Sequence, residues 1–189
     1  MAQFHGAMYI NNDNDSRAAA AKHAERDITA IHLGFPAVQD QSILFAMAAW
    51  LSVLRNVNDE VDRLDADTAQ LALTDSAAML TSSIRSSSRS PQRYGGACLD
   101  PACDAIRAWT KNFVRHLRGL VPQAVYADVI HSVLDVWEVM LAELLVRDRS
   151  AGDVETIGFR PFFILFQADL AFDREGVSED EALLEMEWM

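Results

Sequence analysis

Residues 123–145 read QAVYADVIHSVLDVWEVMLAELL, and this stretch decides the fold. Val125, Val129, Val133, Trp137, Met140, Leu141, Leu144 and Leu145 recur mostly three or four apart, which lines them along one face of an α-helix. Pro122 stands immediately upstream, a residue tolerated where a chain enters a helix and not inside one. Working upstream, Asp100 followed by Pro101 reads as an N-cap acid and a first helical residue. The helix they open carries Ile106, Trp109, Phe113, Leu117 and Leu120. A long helix starting near Ala37 sets Ile43, Ala46, Met47, Trp50, Val53, Leu54 and Val57 on an apolar stripe, then turns polar through Arg55, Asn56, Asn58, Asp59, Glu60, Asp62 and Arg63.

The remaining segments agree. Ser16 is placed to cap a helix running through Ala20, His23 and Asp27 toward Leu33, broken by Gly34, Phe35 and Pro36. A weaker helix spans 68–80. Residues 154–172 are helical, apolar around the whole circumference from Pro161 to Phe166 and so expected in the centre, with Pro161 kinking or restarting the helix. Ser178-Glu179-Asp180-Glu181 fits a capping box for a last short helix. Only 8 glycines and 5 prolines occur, and they fall between the periodic segments. No alternating pattern competes, so the fold class is all-α: a loose N-terminal arm over 1–15, then one helical domain over 16–189 interrupted by a Ser/Arg-rich loop at 81–96.

Composition narrows the function classes. With 189 residues, half of them apolar, the chain can bury a core. The 28 acids against 16 bases give a net charge of −12, a surface that repels phosphate backbones and disfavours nucleic-acid partners. The longest apolar run, 43–54, is too short for a transmembrane segment, and no secretory signal is visible, so a soluble cytoplasmic protein is expected. Cys98 and Cys103 suggest neither a zinc site nor a disulfide framework. Phosphate loops, H-E-x-x-H and G-x-S-x-G are missing, and the histidines at 5, 23, 32, 116 and 131 are scattered.

The acid-rich end of the Trp50 helix is the chemical signal. Carboxylates a helical turn apart can bridge hard cations, which in turn bind phosphate oxygens. Pro36-Ala37, the apolar turns to Trp50-Leu51, and Arg55-Asn56-Val57-Asn58-Asp59-Glu60 resemble the class I terpene synthase pattern, in which a Trp-containing helix runs into an aspartate-rich D-D-x-x-D motif. Asp100-Pro101 with Ala105, Trp109 and Arg115 is similar to the family's next core helix. Tyr126 through Trp137, Glu143 and Arg147 is similar to its long helix. The resemblance covers about residues 33–169. It implies a helical bundle, Mg²⁺, a prenyl diphosphate or other hydrophobic small molecule as ligand, Arg160 as the diphosphate-binding residue, and Trp50, Trp109, Trp137 and Phe163 around a hydrophobic pocket.

The motif departs from the family's. With Trp50 fixing the register, its first two aspartates are Arg55 and Asn56, and only Asp59 remains. Arg55 and Asp59 stand one helical turn apart, suited to a salt bridge and poor as a cation clamp. A fixed charge at ~4 Å from a metal site opposes the metal by several kcal/mol in a half-buried pocket. Slipping the register by three residues offers Asn58, Asp59 and Asp62 as metal ligands instead, with Asn56 as a further candidate in the unslipped register. The second metal motif of the family has no counterpart after Arg160. Asp59, Glu60 and Asp62 also read as solvated acids paired with Arg55 and Arg63; the tryptophans also read as ordinary core; Arg160 is expected to be buried. Two functions follow: a terpene synthase-like protein, weakly active or inactive, or a non-catalytic helical binding or regulatory protein. For either, the apolar run at 159–172 leads to a homodimer, or an aggregation-prone monomer, as the expected state.

Overall fold

The structure, a computed structural model, describes residues 14–85, 101–145 and 158–170. The helices are α1 (Asn14–Gly34), α2 (Gln41–Val61), α3 (Ala66–Arg85), α4 (Pro101–Arg118), α5 (Gln123–Leu145) and α6 (Arg160–Asp169). No strand occurs among the described residues, so the all-α reading stands. None of the helices is long and apolar enough to cross a membrane.

α2 is the hub. It packs against α1, α4 and α6, while α3 packs against α4 and α5, and α5 against α6. Its expected stripe is buried: Ile43, Ala46, Met47, Trp50, Val53 and Val57 all lie in the core. The helix starts later than Ala37, at Gln41, because the carboxylate of Asp40 accepts the N–H groups of Ser42 (2.6 Å) and Ile43 (3.4 Å). Asp169, at the end of α6, accepts the backbone N–H groups of Gln39 (3.1 Å) and Asp40 (2.7 Å), fixing the α1–α2 connection to α6.

α3 and α4 run parallel, with Cys103 Sγ 3.8 Å from Thr68 O near their starts and Arg118 donating to Ser83 O at 3.0 Å near their ends. Between these, Arg107 Nε bonds Asp75 at 2.9 Å. From α4, Ile106, Phe113 and Leu117 are buried; from α5, Val129, Val133, Trp137 and Met140.

Several boundaries differ from the sequence reading. α1 begins at Asn14, so Ser16 lies inside the helix rather than capping it. α3 continues to Arg85, so 81–85 belong to a helix and not to the Ser/Arg-rich loop; threonine and serine hydroxyls at 81, 82 and 83 are satisfied within it by bonding back to carbonyls of the preceding turn. Cys103 is disulfide-bonded, against the expectation from cysteine spacing; Cys98 lies outside the described residues. α6 starts at Arg160 with Pro161 in its first turn, where proline is tolerated. It is not surrounded by protein: Phe162, Leu165 and Phe166 are buried, but Phe163 is 42% exposed. The arm up to residue 13, most of the loop and the helix expected after Ser178 fall outside the described residues.

Candidate functional site

The chemically loaded end of α2 turns out to be organised by α1. Asp27 is 1% exposed, in line with the buried Ala20, Ala24 and Ile31. Arg55 reaches it with two nitrogens: Nη1 donates to Oδ1 at 2.9 Å and Nη2 to Oδ2 at 3.5 Å. Arg26 Nε stands 3.7 Å from the same Oδ1. Arg55 therefore does not pair with Asp59 as its spacing suggested; Asp59 is exposed. A buried carboxylate loses more by being unpaired than an exposed one, so the guanidinium goes to Asp27. Next to this pair, His23 is held below its usual pKa of 6.5 by partial burial first, then by the positive charges of Arg26 and Arg55.

The residues that the slipped register offers to a metal do not converge. Asn58, Asp59 and Asp62 are exposed, and Asp62 closes α2, its N–H donating to Asn58 O. The Asn56 amide donates to Ser52 Oγ at 3.5 Å within the helix. Glu60 pairs with Arg63 at 3.5 Å, as the solvated-acid reading has it. Among the described residues no three His, Cys, Asp or Glu side chains gather as a metal would require. The donor set at this end of α2 thus does not fit Mg²⁺, and the guanidinium one turn before Asp59 is turned onto Asp27.

Two of the four aromatics named for a pocket do come together. The Trp50 ring lies 5.8 Å from Trp137 and 5.7 Å from Phe113. Both tryptophans are fully buried, at 0% exposure, so neither ring has surface that even one water molecule could touch. They fill space rather than line it. Trp109 is half-buried at the edge of the core, and Phe163 meets Phe35 edge-on at 6.3 Å on the outer side of α6.

Trp50 also carries a bond that no pattern announced: its Nε1–H donates to Gly158 O at 2.9 Å. A Cβ at 158 would lie 3.0 Å from Leu54 Cδ2, so any larger residue there needs that leucine side chain to shift by a few tenths of an ångström. Arg160 follows at once, but on the surface. It is 66% exposed and donates to Asp135 on α5 at 3.0 Å, which corrects the expectation of a buried role. Asp27, Gly158 and Asp169 were missed by sequence reasoning; of the three only Asp27 left a signal, as an acid in register with an apolar stripe.

Compared with protein-family models, curated proteins and solved structures, the chain matches none of them.

Proposed function

We propose that this chain is a terpene synthase-like protein with little or no capacity to ionise and cyclise a prenyl diphosphate. The resemblance in the order of its helical motifs supports the first half of this reading. The observation that carries the second is Arg55: at the position where the family's pattern calls for a metal-binding aspartate, this chain has a guanidinium forked onto buried Asp27. A cation there opposes Mg²⁺ instead of holding it. The test is incubation with Mg²⁺ and geranyl, farnesyl and geranylgeranyl diphosphates, followed by product analysis. Absence of cyclised or hydrolysed product is expected; robust turnover would refute the reading and return Asn58, Asp59 and Asp62 to the role of ligands.

The non-catalytic alternative, a helical protein that dimerises or takes up a hydrophobic molecule, is favoured by a different observation. Phe159 is 52% exposed and Phe163 42%, large apolar groups just before and on one short helix. Such a face suits a partner better than it suits water.

A further inference from the structure

Among the described helices α4 stands apart in charge. It carries Arg107, Lys111, Arg115 and Arg118 against one acid, Asp104, a net +3 in a chain of net −12, and none of the other five is net positive. Spacings of four, four and three residues set these cations on one side of the helix, turned away from buried Ile106, Phe113 and Leu117. The side is balanced where it begins: Asp104 pairs with Arg107 at 3.0 Å, and Asp75 of α3 accepts from the same guanidinium. Further along it is not. Past residue 108 the exposed positions of α4 are Lys111, Arg115 and Arg118 alone. Arg115 donates to the Asn112 amide oxygen at 3.1 Å, and Arg118 to Ser83 O at 3.0 Å and to the Tyr126 hydroxyl at 3.3 Å, all neutral acceptors. None of the three meets a carboxylate among the described residues. Arg115 and Arg118 also complement the negative end of the helix dipole, but that effect fades within the last turn, and Lys111 stands further in.

The matching charge lies in the same chain. Residues 171–189 hold seven acids and one base, a net −6, half of the whole chain's net charge. We propose that the acids of 173–187 dock on the Lys111–Arg115–Arg118 face of α4 of their own chain. Residues 171–177 span up to ~23 Å when extended, more than two interhelix distances of ~10 Å, so the acids can pass from the end of α6 round to α4. In the short helix that the capping box at 178–181 predicts, Asp180 and Glu187 stand seven residues apart, the spacing of Lys111 and Arg118. A short covalent connection holds a segment at an effective concentration of about a millimolar, which places it ahead of any separate acidic molecule. The proposal does not rest on the terpene synthase reading and would survive its failure.

Lys22 and Lys111 are the only lysines of the chain, and both are exposed, so the test carries its own control. The full chain at low micromolar concentration is treated with a water-soluble carbodiimide, which joins a carboxylate to an adjacent amine, and the links are mapped by peptide mass spectrometry. A mixture of isotope-labelled and unlabelled chains separates links within a chain from links between copies. An amide between Lys111 and an acid of 173–187 of the same chain is expected, with Lys22 not joined to that segment. In about 1 M sodium chloride, where the Debye length falls to ~3 Å, the link should be lost. Arg115→Gln alters an exposed side chain and should lower the yield about threefold, as for one solvent-exposed charge contact, with the helical circular dichroism unchanged. No link from Lys111 to the segment, equal linkage of Lys22 and Lys111, or a yield indifferent to salt would overturn the proposal. Links found only between labelled and unlabelled chains would overturn it too, by placing the segment on a second copy.

Discussion

A carboxylate that is 1% exposed must meet a cation or stay protonated, and Asp27 meets Arg55. Arg55→Met should therefore cost about 3 kcal/mol of stability, because it removes the guanidinium fork from a buried carboxylate. Asp27→Leu/Arg55→Met together should recover most of that loss, since an apolar pair of similar volume replaces the ion pair. Urea denaturation of Arg55→Met, Asp27→Leu and the double variant checks it; additive losses would mean that the two residues are energetically independent. The tryptophans give a second comparison. Trp50 and Trp137 are equally buried, but Trp50 Nε1 is bonded to Gly158 O whereas Trp137 Nε1 has no hydrogen-bond partner among the described residues. Trp50→Phe should cost about 1–3 kcal/mol more than Trp137→Phe, because only the first orphans a buried carbonyl. Equal losses would remove that bond from the account. Part of this was legible. Asp27 stands in helical register with Ala20, Ala24 and Ile31, so the pattern says that it faces inward. The pattern does not say which cation meets it: Arg55 is 28 residues away, and Asp59, one turn along the same helix, looks like the nearer partner for Arg55. The Trp50–Gly158 bond spans 108 residues and ends on a backbone carbonyl, which leaves no trace in side-chain chemistry.

At the scale of elements, each helix was legible wherever the apolar spacing persisted, and its ends were not. Gln41 starts α2 because Asp40 caps it, and Asp169 secures that cap from another helix; Ala37 to Val38 read equally well as a first turn. α6 shows the opposite failure. Its circumference is apolar, which spacing reads as a central helix, but only Pro161, Phe162, Leu165 and Phe166 are buried, while Ile164 and Ala168 are half-covered and Phe163 is exposed. Two helices also carry a pH dependence with a defined sign. His23 on α1 and His116 on α4 both have lowered pKa values, in each case from burial first, with Arg26 and Arg55 next for His23 and Arg115 a lesser contributor for His116. The unfolded chain, with histidines at 6.5, binds protons that the folded one refuses. Stability is therefore full above 6.5 and falls as pH drops from there toward the folded values. Asp65, lowered chiefly by its bond from the Thr68 N–H at the start of α3, acts later, its contribution fading only as pH falls below 3.8. Chemical denaturation in steps downward from neutral pH should show the first decline at histidine pH, and His116→Gln should shrink it. A flat profile down to the carboxylate range would contradict both assignments.

For the whole molecule the question is how its apolar exterior and its charge act together. Phe159 and Phe163 are exposed on α6, Phe163 abuts Phe35, and Leu33, 79% exposed, lies two residues before Phe35. Grouped apolar surface of this kind drives association. The net charge of −12 opposes it, since two copies repel one another over roughly a Debye length, ~10 Å at 0.1 M salt. These two terms respond to salt in opposite ways. A dimer held by apolar contact should strengthen as salt screens the repulsion, whereas one held by ion pairs such as Arg160–Asp135 exchanged between copies should dissolve. We expect the first behaviour. Sedimentation velocity at micromolar concentration should show a species heavier than 21.0 kDa that grows with added sodium chloride. Phe163→Glu should abolish it while leaving the helical circular dichroism intact, because Phe163 is not part of the buried core. A species of 21.0 kDa at every salt concentration, binding no hydrophobic dye, would show that the aromatic face of α6 is not an association surface, and would remove the observation on which the non-catalytic binding role rests.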